Sequence, residues 1–577
     1  DMLAIGGVWS FAGVWCDKSS GSKSSFERSR ERIFCMNYNL FLMLIPLTFP
    51  LYLVKFRIGV FPVTVPEILV LLAGLWFVAH NLKLGNWRTG LRVPRSMFYV
   101  PIFFLAFAFF ISLFVTPHDF LVPALGIVKS WFVIPVVYFF LLWRQFSDVR
   151  SFYKVFDFYS LSAVFLAGWG IYQYATGLYA TPDMRASGPF ESANYLAFYL
   201  VPAAMYSFLM AVQTFKNRVE KLMLRMSIVY FLSALILFFA LYQTKSFGAF
   251  LGLAAGFFVY FILYFSGHSH FWKKFSAVCV LIFFVGGMFF ATGDSKKFEA
   301  LFRFHQQSSS AVRLQVWTVA GDFIAQHPIL GIGLGTFQNL YEKNAPAILG
   351  VAPYEASMLH PHNVFLMFWI STGLLGLLSF LWLIWCFFAA FFRLPSENRL
   401  FGMILFALMT AIPVHGLVDT PIWKNDLALI FWTLCAAMFG LVKSMKVTGI
   451  VVPGLGLGRQ FGFPTLNLEF DVAPLLDHGV YACRARGSVQ APFLPALLHF
   501  GPRPTIDLHQ PTFEVFFLEF PEGENIKTLE VEVLGKLRGV LKYTSIEALA
   551  DQIRKDREQA MVEYFRAEFP SKSHFGP

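Results

Sequence analysis

Four polar residues next to apolar runs have the types and spacing needed to bind a phosphate-bearing substrate and transfer a proton. His362 and Asn363 come directly before one such run. Arg185 begins the stretch Arg-Ala-Ser-Gly, and Arg313 begins Arg-Leu-Gln-Val-Trp. An imidazole titrates near neutral pH and can take a proton from a hydroxyl, whereas a guanidinium matches phosphate oxygens in a planar fork.

Each of these residues also has a structural interpretation. A histidine such as His362 at the start of an apolar run can have no role beyond capping a helix. Arginines at a membrane surface can simply contact lipid headgroups. The combination of one histidine with two arginines favours a site, because a polar ring at a membrane boundary is costly to bury without a use.

A second set of candidate residues lies near the carboxyl end of the chain. A glycine run is followed by a Pro-Thr-Leu-Asn stretch. Backbone N–H groups in a glycine loop can surround phosphates, and hydroxyl and amide oxygens suit Mg²⁺. The run alone is equally typical of a β-turn, and its neighbours favour a nucleotide site. The candidate nucleotide-binding residues are Gly454, Gly456, Gly458, Arg459, Thr465 and Asn467, of which Thr465 and Asn467 are also the candidate metal ligands.

The first set of residues lies within a polytopic α-helical membrane segment, residues 36–445. Of the 577 residues, 57% are hydrophobic and 14% are charged, against about 25% charged in ordinary soluble proteins. Apolar runs of about 20 residues recur, and each can cross a bilayer as a helix. We predict about twelve spans, centred near residues 37–54, 62–80, 97–115, 131–143, 156–173, 193–213, 227–243, 247–265, 276–291, 364–385, 400–416 and 426–442.

The net charge of +11 reflects membrane topology and does not indicate a nucleic-acid partner. Most Lys and Arg residues fall in alternate connections, including 83–95 and 216–225. The positive-inside rule places these connections in the cytoplasm, as in an inner-membrane protein, and with an even number of spans it places both termini there too. Six scattered cysteines without a C-x-x-C pair predict free thiols. Residues 1–35 read as a basic leader or as upstream sequence, and we assign them no function.

One connection on the predicted outer side, about 292–362, is much longer than the others. It contains Arg303 and Arg313, and a loop of this length in a compact protein is usually functional. Apolar residues recur every three or four positions around 313–325, which predicts an amphipathic helix at the membrane face.

After Lys446 the apolar runs give way to short alternating segments separated by Gly and Pro. This pattern predicts a small antiparallel β-barrel with a terminal helix over residues 447–570. Thr544-Ser-Ile-Glu547 predicts a capping box at the start of that helix. The predicted strands are Gly449–Val452, Val480–Arg486, Ala496–Phe500, Thr512–Glu519 and Leu529–Leu537.

Residues 36–445 resemble the O-antigen ligase and O-antigen polymerase family, whose members have a GT-C-like fold. The motifs that carry the resemblance are Arg185-x-x-Gly188 with Asn194, Arg313-x-x-x-Trp317, His327-Pro328 with Gly331-x-Gly333, and His362-Asn363 followed after nine residues by Gly373-x-x-Gly376.

This resemblance implies metal-independent transfer of a glycan from an undecaprenyl-diphosphate carrier, in contact with membrane lipid. The acceptor would be lipid A core, another glycan or a protein. Arg185 and Arg313 would neutralise the pyrophosphate, with Arg303 as a further candidate, and His362 would act as the base. Many members carry arginine in a Thr-x-Ser-Arg-Gly turn, whereas the corresponding turn here offers Lys245, a point charge instead of a fork.

Residues 447–565 resemble the riboflavin kinase family. The motifs are Gly479-Val-Tyr-Ala482, Gly501-Pro-Arg-Pro-Thr505, Leu537-Arg538 and the strand around Glu514. The resemblance implies ATP-dependent phosphorylation of riboflavin to FMN with Mg²⁺. Thr465 and Asn467 would hold the metal and the nucleotide phosphates, and Glu514 would be the base. In this chain Leu466 replaces the alanine that usually separates the two ligands.

Three interpretations of the whole chain remain open. The first is a bifunctional enzyme, with glycan transfer outside the membrane and riboflavin phosphorylation inside. The second is a membrane glycan ligase or polymerase whose barrel only binds flavin or nucleotide as a regulatory module. The third is a read-through fusion of two separate genes. The join at residues 442–449 has almost no linker, which slightly favours the third interpretation. The predicted topology favours the first, because it delivers the barrel to the compartment that holds ATP.

Overall fold

The chain divides into two compact units. The computed structural model describes residues 37–59, 61–83, 97–179, 184–216, 221–265, 309–394, 398–442, 445–454, 463–470, 476, 478–488, 491–503, 508–519, 526–543 and 545–565. One unit is Leu40–Arg393 with Leu400–Gly440, which we call the helical unit. The other includes Leu441–Pro577, and we call its described part, from residue 445 onward, the barrel unit. The predicted span near 276–291, the leader 1–35, Arg303, Gly456, Gly458 and Arg459 lie outside the described residues.

Apolar helices that match the predicted spans build the helical unit. Within the described residues, seven are long and apolar enough to cross a membrane, and four are shorter. The longer ones are His118–Gln145 (α4), Val149–Thr176 (α5), Ala193–Lys216 (α6), Lys221–Gln243 (α7), Phe247–Phe265 (α8), Val364–Phe391 (α11) and Asn425–Val442 (α13). The shorter ones lie in Asn37–Leu53 (α1), Val65–Lys83 (α2), Tyr99–Val115 (α3) and Arg399–His415 (α12). The polytopic helical class is therefore confirmed.

Two further helices form a cap over the start of α11. They are Ser309–Gln326 (α9) and Phe337–Leu349 (α10). The amphipathic helix predicted near 313–325 lies within α9. Its apolar residues Val316, Val319 and Phe323 are buried in a cluster with residues of α10 and α11, so the cap is anchored to the spans by a small apolar core of its own.

Helix α11 is broken at Gly373, whose backbone adopts φ 71° and ψ −176°. The break pairs with the preceding loop, because Ile332 N donates to Ile370 O at 2.8 Å and Leu374 N donates to Ile329 O at 2.9 Å. A Cβ on Gly373 would fall on the Ile329 carbonyl oxygen. These contacts explain why glycine is needed at Gly373, since the position combines a left-handed φ with close backbone approach.

The barrel unit is a closed antiparallel barrel with a final helix. A hairpin in the helical unit supplies the first two strands, Lys55–Ile58 (β1) and Phe61–Thr64 (β2). The barrel strands are Met445–Val452 (β3), Thr465–Glu469 (β4), Gly479–Arg486 (β5), Leu494–Arg503 (β6), Leu508–Phe517 (β7) and Thr528–Arg538 (β8). Their order around the barrel is β3-β4-β7-β6-β5-β8. The final helix is Ile546–Glu563 (α14). The predicted barrel and helix are confirmed, while β4 was not predicted.

Successive side chains along the strands point alternately to the barrel interior and to an outer face covered by α14. Leu468, Leu498 and Val515 belong to the inner core, whereas Leu497 and Phe516 pack with α14 residues. The prediction for the start of α14 was wrong by one residue. Ser545 is the N-cap, and its side chain accepts from Ala548 N, so the predicted box beginning at Thr544 does not describe this helix start.

Candidate functional sites

The start of α11 holds His362 in a fixed, strained position. Asn363 caps the helix, and its side-chain oxygen accepts from Phe365 N and Leu366 N. On the other side of His362, Pro361 O accepts from Trp317 Nε1 at 2.9 Å. His362 itself has φ 48°, in the left-handed region that costs a non-glycine residue free energy. Strain held by contacts on both sides is typical of a functional position.

His362 forms a dyad with Asp419, a residue that the sequence did not single out. His362 Nδ1 lies 3.1 Å from Asp419 Oδ1, and the Asp419 side chain is only 4% exposed. Thr420 N donates to the same oxygen at 2.9 Å, and Asn194 Nδ2 donates to Oδ2 at 2.8 Å. Burial would raise the pKa of Asp419, but His362 and its hydrogen bond hold that pKa well below its ordinary range. The ionised carboxylate therefore favours a proton on His362 Nδ1, which leaves Nε2 free to accept one.

Arg185 reaches this dyad through Asn194. Its Nη1 donates to Asn194 Oδ1 and to Thr244 O, both at 3.4 Å. The Arg185 loop is also tied to the α7–α8 turn by a hydrogen bond from Ala186 N to Gln243 O. That turn carries Lys245, which is exposed and has φ 48°. The predicted cation at this corner thus lies in the turn that supports Arg185.

Arg313, on α9, approaches the dyad from the cap. Its Nε donates to Val418 O at 2.9 Å, next to Asp419 in the chain. Burial lowers the pKa of Arg313, the Asp419 charge opposes that change, and the Arg185 charge adds to it. Arg185 and Arg313 are close enough to repel each other, and one buried carboxylate lies near both. A bound anion would therefore stabilise the charged forms of the two arginines.

A second histidine, His360, borders the dyad. Its ring centre lies 4.6 Å from that of His362, and its Nε2 is 3.2 Å from the Tyr195 hydroxyl. Lys424 Nζ stacks over the Tyr195 ring, 3.5 Å from its centre. Burial, followed by the His362 charge, lowers the pKa of His360 to about 4. The ring is therefore neutral at physiological pH.

In the barrel unit, polar candidates line up across three neighbouring strands. Asn467 on β4 is opposite Glu514 on β7, and Glu514 is opposite His499 on β6. Residues directly opposite each other in antiparallel strands share a face, with Cβ atoms about 5 Å apart. Thr465 lies two residues before Asn467 and so faces the same way. The side of the barrel outside its inner core therefore carries Thr465, Asn467, Glu514 and His499 together.

Arg503 pairs with Glu514 in this row. Arg503 Nη1 lies 2.7 Å from Glu514 Oε1, and both side chains are mostly buried. Burial raises the pKa of Glu514, and the Arg503 charge opposes that rise. Burial and the charges of Arg503 and Arg538 lower the pKa of His499 to about 4. The row thus places one carboxylate of raised pKa beside a neutral imidazole.

The described end of the glycine loop lies against this row. A Cβ on Gly454 would overlap the Asn467 side-chain amide, so a larger residue at this position would require Asn467 to move. At the other end, Arg538 makes a two-pronged ion pair with Asp556 of α14, with a closest distance of 2.8 Å. This pair fixes the terminal helix beside the row.

Comparison with known proteins finds two family models that match different parts of the chain. Residues 232–381 match the family model described as O-Antigen ligase, and residues 441–563 match the family model described as Riboflavin kinase. The chain joins an O-antigen ligase-like segment to a riboflavin kinase-like segment. The ligase match includes Arg313 and His362 but ends before Asp419 and begins after Arg185.

Individual relatives follow the same division. The RNA-binding riboflavin kinase RibR of Bacillus subtilis is 33% identical over 19% of this chain and 47% of its own length. The bifunctional riboflavin kinase/FMN adenylyltransferase of Haemophilus influenzae is 34% identical over 21% of this chain and 39% of its own. A Rickettsia conorii protein that is named as a polysaccharide ligase is 28% identical over 24% of this chain and 31% of its own length. The chain spans less than half the length of these curated relatives.

Proposed function

We propose that the helical unit transfers a glycan from an undecaprenyl-diphosphate carrier to a hydroxyl acceptor. The observation that carries this proposal is the convergence of Arg185 and Arg313 on the His362–Asp419 dyad. A departing diphosphate is an anion that needs positive charge, and an attacking hydroxyl needs a base. Both requirements are met here within one group of contacts, formed by residues that lie between or at the ends of the spans.

In this reaction a bond forms between the acceptor oxygen and the anomeric carbon, and the bond from that carbon to the diphosphate breaks. The acceptor proton passes to Nε2 of His362, while Asp419 holds Nδ1–H and stabilises the imidazolium. Arg185 and Arg313 stabilise the charge that develops on the leaving diphosphate, which is the larger contribution in such reactions. We place this site on the outer face of a bacterial inner membrane, with the barrel unit in the cytoplasm.

Loss of the base tests this proposal. His362→Ala in the chromosomal gene should cause lipid-linked glycan to accumulate, measured by extraction and mass spectrometry of the carrier lipids. His118→Ala is the matched control, because that histidine is exposed at the start of α4 and belongs to none of the motifs. Unchanged carrier-lipid pools in the His362→Ala strain, at wild-type protein levels, would refute the assignment of the base.

We propose that the barrel unit phosphorylates riboflavin with ATP and Mg²⁺. The residues present fit the ion, because Thr465 and Asn467 offer neutral oxygens on one face and Gly454, the described start of the glycine loop, lies directly against Asn467. Mg²⁺, when bound, would neutralise phosphate charge during transfer. Glu514, in the same row, would accept the proton of the ribityl hydroxyl as that oxygen attacks the terminal phosphorus of ATP, while the bond from that phosphorus to the bridging oxygen breaks and ADP leaves.

The Glu514→Gln variant separates catalysis from riboflavin binding. The purified full-length chain should form FMN from riboflavin and ATP, detected by chromatography with fluorescence, and Glu514→Gln should lose this activity. Glu519→Gln is the control, since Glu519 is exposed near the end of the same strand. Riboflavin binding without turnover by the wild-type chain would favour the regulatory interpretation instead.

A further inference from the structure

Three metal-ligand side chains meet at the proposed transfer site. His360, His362 and Asp419 each have a ligand atom, and these atoms lie within 4.8 Å of one another. Two imidazoles and one carboxylate are a donor set that suits Zn²⁺ and similar divalent transition metals better than Mg²⁺. No other group of this kind is found in the part of the chain that the structure describes.

His360 supplies an independent indication that something binds here. It is only 9% exposed, and its Nδ1 has no hydrogen-bond partner among the described residues. Its other ring nitrogen faces the Tyr195 hydroxyl at 3.2 Å. An imidazole with one nitrogen held by an oxygen and the other left bare has the arrangement of a metal-binding histidine.

The spacing of the other two ligands also fits an ion. The 3.1 Å between His362 Nδ1 and Asp419 Oδ1 corresponds to an angle of about 95° at an ion about 2.1 Å from both atoms. Asn194 holds the second oxygen of Asp419 at 2.8 Å and so orients that ligand. Tetrahedral ligands lie about 3.4 Å apart at such bond lengths, so a bound ion would draw the His360 ring inward.

We propose that His360, His362 and Asp419 bind one Zn²⁺-like ion and that this ion inhibits glycan transfer. The inhibition rests on the proposed function, whereas the binding does not. An ion on His362 Nδ1 moves the ring proton to Nε2, and a protonated Nε2 cannot accept the proton of the acceptor hydroxyl. The positive charges of Arg185, Arg313 and Lys424 oppose a dication, so the ion binds with a hydroxide or another small anion as its fourth ligand.

The binding is tested on the untagged, chelator-treated full-length chain in detergent, with Co²⁺ as a spectroscopic probe and Zn²⁺ as its competitor. We expect a visible absorption band for one Co²⁺ per chain that Zn²⁺ abolishes. Loss of a group that only orients a ligand typically weakens binding about 10- to 100-fold, so His360→Gln should weaken it at least that much. His118→Gln, the same change at an exposed histidine at the start of α4, should keep the band. Equal spectra for the wild type and His360→Gln would overturn the proposal.

The inhibition is tested in proteoliposomes with lipid-linked glycan extracted from the host. Zn²⁺ should slow transfer by the wild type at concentrations that displace Co²⁺, and the inhibitory concentration should rise for His360→Gln in step with the weakened binding. Binding without any effect of Zn²⁺ on transfer would overturn the inhibitory role. If no transfer occurs even without metal, the proposed function fails, and the Co²⁺ spectrum still decides the site.

Discussion

Asp419→Asn is the most informative single change in the helical unit, because it removes one charge with almost no change of shape. Three donors point at this carboxylate. His362 Nδ1 and Thr420 N lie at Oδ1, and Asn194 Nδ2 lies at Oδ2. An amide offers one acceptor oxygen and one NH₂ donor. In either orientation of the new amide, its NH₂ group therefore faces one of the neighbouring hydrogen-bond donors.

The two orientations have different consequences but similar costs. With its NH₂ group toward His362, the amide leaves the ring without an acceptor. With its NH₂ group toward Asn194, it drives Asn194 to flip, which turns a donor toward Arg185. A lost hydrogen bond to a charged group costs about 1.5–3 kcal/mol. Since each 1.36 kcal/mol is a factor of ten, we expect glycan transfer to slow about 10- to 150-fold.

The assay is the initial rate at which lipid-linked glycan disappears in proteoliposomes containing the purified chain. Asp148→Asn is the control, because Asp148 also accepts two hydrogen bonds, from Ser151 N at 2.8 Å and Ser151 Oγ at 2.7 Å, at the start of α5. A rate for Asp419→Asn within about twofold of wild type would refute this reasoning. An equal loss in Asp148→Asn would assign the effect to folding.

Three further predictions follow from contacts in both units. Arg313→Lys keeps the charge but loses the planar guanidinium, whose Nε–H donates to the Val418 backbone oxygen. KM for the lipid-linked glycan should therefore rise about tenfold when its concentration is varied. Arg503→Gln removes the charge that opposes the raised pKa of Glu514. Because the base must be ionised, the acid limb of kcat/KM for riboflavin phosphorylation should move to higher pH, and an unchanged profile would contradict this. Gly373→Ala should lower the free energy of unfolding by more than about 2 kcal/mol. The control Gly350→Ala, at a position with φ 66° and open space around it, should lower it by about 1 kcal/mol. Equal decreases in melting temperature for the two variants would contradict the role of the Ile329 contact.

The spans and the barrel could be predicted because their signals are local. A run of apolar residues sets the length of a helix whatever it packs against, and alternation with Gly and Pro sets a strand. Strand β4 was missed because its five residues, Thr465–Glu469, are few and two of them attracted a chemical interpretation. Structure and chemistry coincide there, since the strand is what places Asn467 opposite Glu514.

Asp419 could not be predicted because its partners are distant in the chain. It lies 57 residues from His362 and 225 from Asn194, and a single aspartate after an apolar run is ordinary. The one local signal is its position just beyond the end of α12, where a carboxylate must be either solvated or paired. His499 was similarly hidden, because only the register of β6 with β7 brings it to Glu514. Arg503 belongs to a motif named from the sequence, but its ion pair with Glu514 was not predicted.

The pairing between the loop at Ile329 and the broken helix α11 also sets an order of assembly in the membrane. Hydrocarbon gives an unpaired backbone group no partner, so α11 is complete only when Ile370 O and Leu374 N have met that loop. The loop precedes α11 in the chain and is already synthesised when the helix inserts. Damage to it should therefore appear as a fault of biogenesis, with less of the chain accumulating in the membrane.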